Sequence, residues 1–385
     1  MVKKITLLSF IPPNILYFNE TSMNTSRFSR KFGACVVPFF ASVVATFFPI
    51  SGVADTVSTV PVGTVNLTAA AGTGSTSTVS VLSFPLLGTA SITGQSSGVI
   101  TGVTANTISN SNAGWTAGAL SVAASPYVIQ ITSGSAKGRT FLVSTTTVNT
   151  ATAVTIDSQE SGQIDLTSLG IVSGASGDTY SIFPCDTLLN AFGPGSAVTS
   201  GTTALGSTSP AGADVVQLFV SGAWRQYYYN TTSGHWLRAG PNIQSDNVVI
   251  RPDTGVIYSR LAATALNLTV LGSVPAIDRK AIVSNSGVTF VSSSWPMDLT
   301  LATSNIAAIP GWVPNASASS ADIVQMFVSG AWRQYYYDGS HWRRAGPGTI
   351  SDTVSIPAGT AVMLQKLGSA TGVTTLAQTL PYSLN

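Results

Sequence analysis

The sequence predicts an all-β chain of tandem duplicated β-sandwich-like units, with a small β-barrel or sandwich domain inserted in the first unit. Three observations lead there: a composition that starves helices, a long aromatic segment written twice, and an interruption between the two halves of the first copy. Only 8% of the 385 residues are charged, against roughly 25% in an average soluble chain. A single glutamate, Glu160, follows Ala54, whereas amphipathic helices lean on Glu and Lys for their wet face. Gly, Ser, Thr, Ala and Val dominate instead, as a strand-rich chain with polar turns requires.

The amino terminus reads as an export signal, residues 1–54. From Met23 come Arg27, Arg30 and Lys31, then the apolar stretch Gly33 to Ile50, then Gly52-Val53-Ala54, small residues where a signal peptidase cuts. Either Met1 or Met23 can open it. The chain is therefore expected to be secreted, extracellular or on the outer cell surface. After Ala54 no apolar run approaches the roughly 20 residues of a spanning helix, so no membrane span is expected in the mature chain. That part holds twelve basic and fourteen acidic side chains, a balance with nothing to spare for phosphates, so nucleic acid is not an expected partner. Its one cysteine, Cys185, has no partner within the chain and sits beside Ile182-Phe183-Pro184, where a buried, inert thiol is expected.

The repeat settles the rest. Residues 213–229, ADVVQLFVSGAWRQYYY, return at 321–337 as ADIVQMFVSGAWRQYYY. Both differences, Val215 to Ile323 and Leu218 to Met326, keep apolar volume, as packed positions demand. His235-Trp236-Leu237-Arg238 and His341-Trp342-Arg343-Arg344 continue the copies across a turn whose length varies. The pattern predicts strand, Ser-Gly turn, strand, variable turn, strand. Ser245-Asp246 and Ser351-Asp352 precede two more short strands each, over 248–251 and 256–261 and over 354–356 and 361–366.

Upstream, Val288 to Pro296 runs straight into Met297-Asp298-Leu299-Thr300-Leu301. In the first copy the matching pieces, Val79 to Pro85 and Phe183 to Leu188, are far apart. The first unit is therefore expected over 60–85 plus 184–275, an inserted β-domain over 86–183, and the second unit over 284–385. Six strands are expected in the insertion: 98–101, 107–109, 127–132, 139–144, 153–157 and 179–183.

Trp115-Thr-Ala-Gly118, the run Tyr127 to Phe141 with its Ser133-Gly134 and Gly138-Arg139, the strand from Gly177-Asp178 to Pro184, and the Tyr-Tyr-Tyr…Trp-Arg-Arg-Ala-Gly unit together resemble an uncharacterised family of secreted β-rich proteins from Verrucomicrobia-type bacteria. The likeness covers most of residues 60–385. It implies export from a Gram-negative-like cell and a β-rich fold, and it carries over no activity and no catalytic residue.

Recognition chemistry concentrates in the repeat. Alternation puts Trp224, Gln226 and Tyr228 on one face of a strand and Arg225, Tyr227 and Tyr229 on the other. The candidate ligand-binding residues are Arg225, Tyr227, Tyr229 and His235, with Arg333, Tyr335, Tyr337 and His341 in the second copy. Aromatic rings beside Arg and His can stack on sugars, and they can equally pack across strands inside a sandwich. At least one tyrosine of each triple is expected to be exposed. Since Leu237 becomes Arg343, that face should meet solvent and carry His235 and His341, leaving Trp236 and Trp342 inside.

Enzyme chemistry finds little to run on. Asp157, Glu160 and Asp165 read as a solvated loop more readily than as a calcium site or a pair of glycosidase acids. No nucleophile elbow, His-Glu-x-x-His or phosphate-binding glycine loop occurs. The reading is a non-catalytic structural or surface-interaction protein without metal or cofactor. A carbohydrate-binding module is the alternative, and a glycan-active enzyme a remote one. The expected partner is an extracellular polysaccharide or another surface protein.

Overall fold

The computed structural model of this chain describes residues 61–89, 92–158, 165–194, 203–220 and 222–384. The expected export signal and Glu160 lie outside the described residues. The described part is all-β, with one short α-helix.

Two strands open it, β1 (Val62–Ala69) and β2 (Thr78–Ser83). β1 shows why the composition folds this way: Val65, Leu67 and Ala69 point inward while Thr64, Asn66 and Thr68 face water, the period-two signature of a half-buried strand. An intervening segment follows, with β3 (Ser97–Val99), β4 (Gly102–Val103), β5 (Thr107–Ser109), β6 (Tyr127–Ile131), β7 (Thr140–Leu142), β8 (Ala153–Thr155) and β9 (Thr179–Pro184). The chain then gives β10 (Asp186–Thr187), α1 (Leu188–Phe192), β11 (Val215–Val220), β12 (Ala223–Asn230), β13 (His235–Arg238), β14 (Ile243–Gln244), β15 (Val249–Ile250), β16 (Gly255–Arg260) and β17 (Leu266–Ser273). Last come β18 (Arg279–Ser284), β19 (Gly287–Ser292), β20 (Leu299–Thr300), β21 (Ile323–Val328), β22 (Ala331–Tyr337), β23 (Trp342–Arg344), β24 (Ser355–Ile356), β25 (Ala361–Lys366) and β26 (Val373–Gln378).

The repeated sequences occupy sheets of the same order. One runs β2-β16-β11-β12-β13-β14 and the other β19-β25-β21-β22-β23, all antiparallel. Each is accompanied by a longer pair, β1 with β17 and β18 with β26, and by a two-residue pair, β10 with β15 and β20 with β24. The register repeats too: Tyr227 lies opposite Arg238 and Tyr335 opposite Arg344. β18 starts before the expected boundary at 284, and its pairing with β26 carries that unit's first strand back to Arg279. The β21–β22 turn has φ of 53° at Ser329 and 78° at Gly330, the two left-handed residues that a tight twisted hairpin needs.

Three cores lie behind these sheets. Leu82, Phe84, Leu188, Phe192, Trp236 and Tyr258 fill the first, and Val291, Trp295, Val324, Trp342 and Leu364 fill the second. A third, with Trp115, Ile129, Phe141 and Tyr180, belongs wholly to the intervening segment. That segment has seven strands in two sheets, β3-β9-β6-β7 and β4-β5-β8. Leu87 still exchanges both backbone bonds with Ser273 of β17. Gly88 then presses on the backbone of Pro184, where a Cβ would stand 2.5 Å from the carbonyl oxygen. The chain therefore leaves and returns through adjacent points.

The outer faces of the two large sheets meet in a fourth cluster, where Val81 and Ile257 pack on Phe290 and Ala361. The contact is reciprocal. Ser83 donates its N–H to the Gly359 carbonyl (2.7 Å) and Ser292 donates its own to the Asp253 carbonyl (3.2 Å). Self-complementary exchange of this kind is the signature of a two-fold contact.

Candidate functional site

The alternation expected on β12 is present, with its inward face reversed from what a ligand platform needs. Tyr227 and Tyr335 are core residues, 1% and 2% exposed. Tyr229 and Tyr337 are half-buried and lean on the buried indoles of Trp236 and Trp342, at centroid distances of 6.0 and 5.5 Å. Tyr228 and Tyr336, on the other face, are buried as well, because loops cross that face: Tyr228 Oη donates to Asn242 Oδ1 (3.3 Å), and Tyr336 packs with Ala318 and Ala345. The expectation of an exposed tyrosine in each triple is thus corrected. Arg225 and Arg333 are half-buried on the inner face, and the four tyrosines proposed for binding form no accessible platform.

The histidines stand at the expected edge and are held there by an acid that the sequence reading did not pair with them. Asp246 Oδ2 accepts from His235 Nδ1 (2.7 Å), and its Oδ1 accepts from the Trp236 N–H (2.8 Å). Asp352 does the same for His341 (2.7 Å) and Trp342 (2.7 Å). The His341 ring N–H, helped by the Trp342 amide, holds the Asp352 carboxyl below the usual range. The repeated Ser-Asp dipeptides were the available signal. Each aspartate ties a strand start to the next loop, and no hydroxyl or thiol of the described residues bonds either Nε2. Asp165 accepts from the Thr167 hydroxyl and amide as the cap of a 3₁₀ turn. Among the described residues no cluster of three His, Cys, Asp or Glu side chains is placed to hold a metal ion, and no helix is long and apolar enough to cross a membrane.

What the repeat does offer to solvent is tryptophan. Trp224 and Trp332 are each 37% exposed on the face opposite to Tyr227 and Tyr335. Trp224 packs edge-on against Phe219 (5.2 Å) and tilts over Phe290 of the second unit (5.3 Å). Together the three rings wall a cleft of about 630 Å³ along the seam between the sheets. Arg251 and Asp253 also line it, joined by two bonds, Nε to Oδ1 (3.0 Å) and Nη2 to Oδ2 (2.8 Å), with both residues buried. Because that pair is self-neutralised, the cleft carries no net charge. Thr254, Ser284, Ser286 and Thr289 add hydroxyls. Such a site suits a neutral ligand that has both flat apolar faces and hydroxyl groups. No protein-family model matches this chain, and comparison with curated proteins and with solved structures returns no significant match.

Proposed function

We propose that this chain is an exported, non-catalytic surface-interaction protein that holds a neutral polysaccharide strand in the Trp224 cleft. The observation that carries the reading is the half-exposed Trp224 ring, flanked by Phe219 and Phe290 above a neutralised Arg251–Asp253 pair. A pyranose presents C–H faces that stack on such rings and hydroxyls that the Ser and Thr rim can meet. The twelve basic and fourteen acidic groups after Ala54 favour an uncharged polymer over nucleic acid.

The test is pull-down of the full chain on insoluble xylan, starch and β-glucan, read beside its melting temperature. Trp224→Ala is expected to abolish retention while the protein stays folded, and Tyr228→Phe to leave retention unchanged. Failure of the parent protein to bind any neutral polysaccharide would leave the purely structural role, which the burial of four repeat tyrosines and the half-burial of Tyr229 and Tyr337 favour.

A further inference from the structure

A second cleft, of about 350 Å³, lies where the first unit meets the intervening segment. Phe84, Leu86, Ile250 and Val270 give it an apolar wall, and Tyr127 and Asp186 give it polar groups. The aspartate is the unusual member. In the second unit, Leu299 pairs with Ile356 and is buried in the core. In the first, Asp186 pairs with Ile250, the counterpart of Ile356. The following bonds, Leu188 N–H to the Val248 carbonyl (3.0 Å) and Leu301 N–H to the Val354 carbonyl (3.0 Å), fix the same register in both. A carboxyl group therefore stands where the sister unit buries a leucine.

Nothing within the fold requires it there. In the second unit the neighbouring Asp298 accepts from the Ala358 N–H (2.9 Å). Its counterparts in the first unit are Cys185, an uncharged residue, and Pro252, which has no N–H to give. That donor and acceptor are thus both absent from the first unit. Asp186 takes over neither role: no hydrogen bond or ion pair joins its side chain to any described residue. Burial raises its carboxyl above the usual range and pushes the neighbouring Cys185 thiol up to about 12, so that the thiol stays neutral. The nearby Arg251 is committed to Asp253. Asp186 is then the cleft's one unmatched charge. A partly buried carboxylate without a partner is costly, and such groups gather at binding sites.

We propose that this cleft binds a small organic cation, an ammonium group carried on an apolar body, with Asp186 as its counter-ion. The ammonium gives the Asp186 carboxylate a donor and a counter-charge, and the apolar body covers Phe84, Leu86 and Val270. The site is separate from the Trp224 cleft and does not depend on glycan binding there.

The probe is benzylammonium, titrated calorimetrically into the full chain, with benzyl alcohol as the neutral isostere and benzoate as the anion. The parent is expected to bind benzylammonium at least tenfold more tightly than benzyl alcohol and to reject benzoate, as a charge-assisted bond implies. Asp186→Asn should erase that preference while keeping the side-chain shape. Asp186→Leu, which installs the sister unit's residue, should also erase it and raise the melting temperature. Equal affinity of the parent for benzylammonium and benzyl alcohol, absence of saturable benzylammonium binding, or a preference that survives in Asp186→Asn would each overturn the proposal. The parent measurements decide the matter even if a variant folds poorly.

Discussion

The two units share a strand order and nearly the same central hairpin, yet they anchor their buried acids differently. In the first, Asp214 accepts from the Leu205 and Leu261 amides (2.8 and 2.7 Å), from Tyr258 Oη (2.9 Å) and from the buried guanidinium of Arg260. In the second, Asp322 accepts from Val313 and Leu367 (2.9 and 2.8 Å), while Lys366, at the position of Arg260, gives its ammonium to the Pro310 carbonyl (3.0 Å). Leu364 stands where Tyr258 does. What both copies keep is the acid that gathers loop amides at the strand start. What varies is the nearby cation: Arg260 reaches the Asp214 carboxylate and the Thr203 carbonyl together, whereas Lys366, a single point charge, is given to the Pro310 carbonyl.

That contrast sets the largest expected effect. Asp214→Ala would leave Arg260 buried without its counter-ion, at a cost of about 3–5 kcal/mol. Asp322→Ala removes the acceptor from two amides and should cost about 2–3 kcal/mol. Urea midpoints of the two variants measure the difference. Equal losses would mean that Arg260 and Lys366 do the same job.

Next come the repeat tyrosines. Tyr227→Ala and Tyr335→Ala each truncate a ring inside a core and should each cost about 3–5 kcal/mol. Half-buried Tyr229 and Tyr337 should lose less. The same denaturation series checks the ranking, and a Tyr335→Ala protein as stable as its parent would break the equivalence of the two cores.

The tyrosines also mark how far the sequence could be read. The hairpins, the turn between Ser329 and Gly330 and most strands of the intervening segment follow from spacing and turn residues alone. Alternation told which residues share a face. It could not tell which face looks inward, because both faces of β12 and β22 are covered, one by the core and one by crossing loops. Three consecutive tyrosines therefore need no exposed member. The outward face carries Trp224 and Gln226, whose exposure depends on how far the covering loops extend and not on the residue types. Asp186 was hidden for another reason. The link from Pro184 to Leu188 is one residue shorter than that from Pro296 to Leu301, so matching by letters aligns Asp186 with Asp298, and only the pairing register puts it at the position of Leu299.

A smaller effect concerns the exposed indoles. Trp224 touches two rings, Phe219 and Phe290, whereas Trp332 touches, among the described residues, Phe327 alone (5.4 Å). In the register of β2 and β19, Val81 occupies the position of Phe290. An aromatic pair adds about 0.5–1.5 kcal/mol beyond its buried area, so Trp224→Ala should destabilise by about 1 kcal/mol more than Trp332→Ala. Val81→Phe would supply the second unit's indole with a matching ring, and it should narrow that gap in thermal melts.

The smallest effect separates the units by pH. Asn230 and Asp338 open the same turn, and each side chain accepts two amides: Thr232 and Ser233 in the first unit (3.0 and 2.9 Å), Ser340 and His341 in the second (2.8 and 2.7 Å). The asparagine does this uncharged. The aspartate also takes the Arg343 guanidinium, and the His341 amide, Arg343 and the Ser340 amide together hold its carboxyl far below the usual range. A folded pKa lying below the unfolded value of about 4 means that the unfolded chain takes up the proton first. The contribution of Asp338 is then complete at neutral pH, declines as the pH falls below about 4, and is gone once the folded carboxyl protonates. Because the turn is at the surface the change is modest and screened by salt. Asp338→Asn should convert the second turn to the chemistry of the first. Its melting temperature should lie slightly below the parent's at pH 7 and converge with it on acidification. A gap that persists undiminished at pH 2 would show that the Asp338 carboxylate charge plays no part in holding that turn.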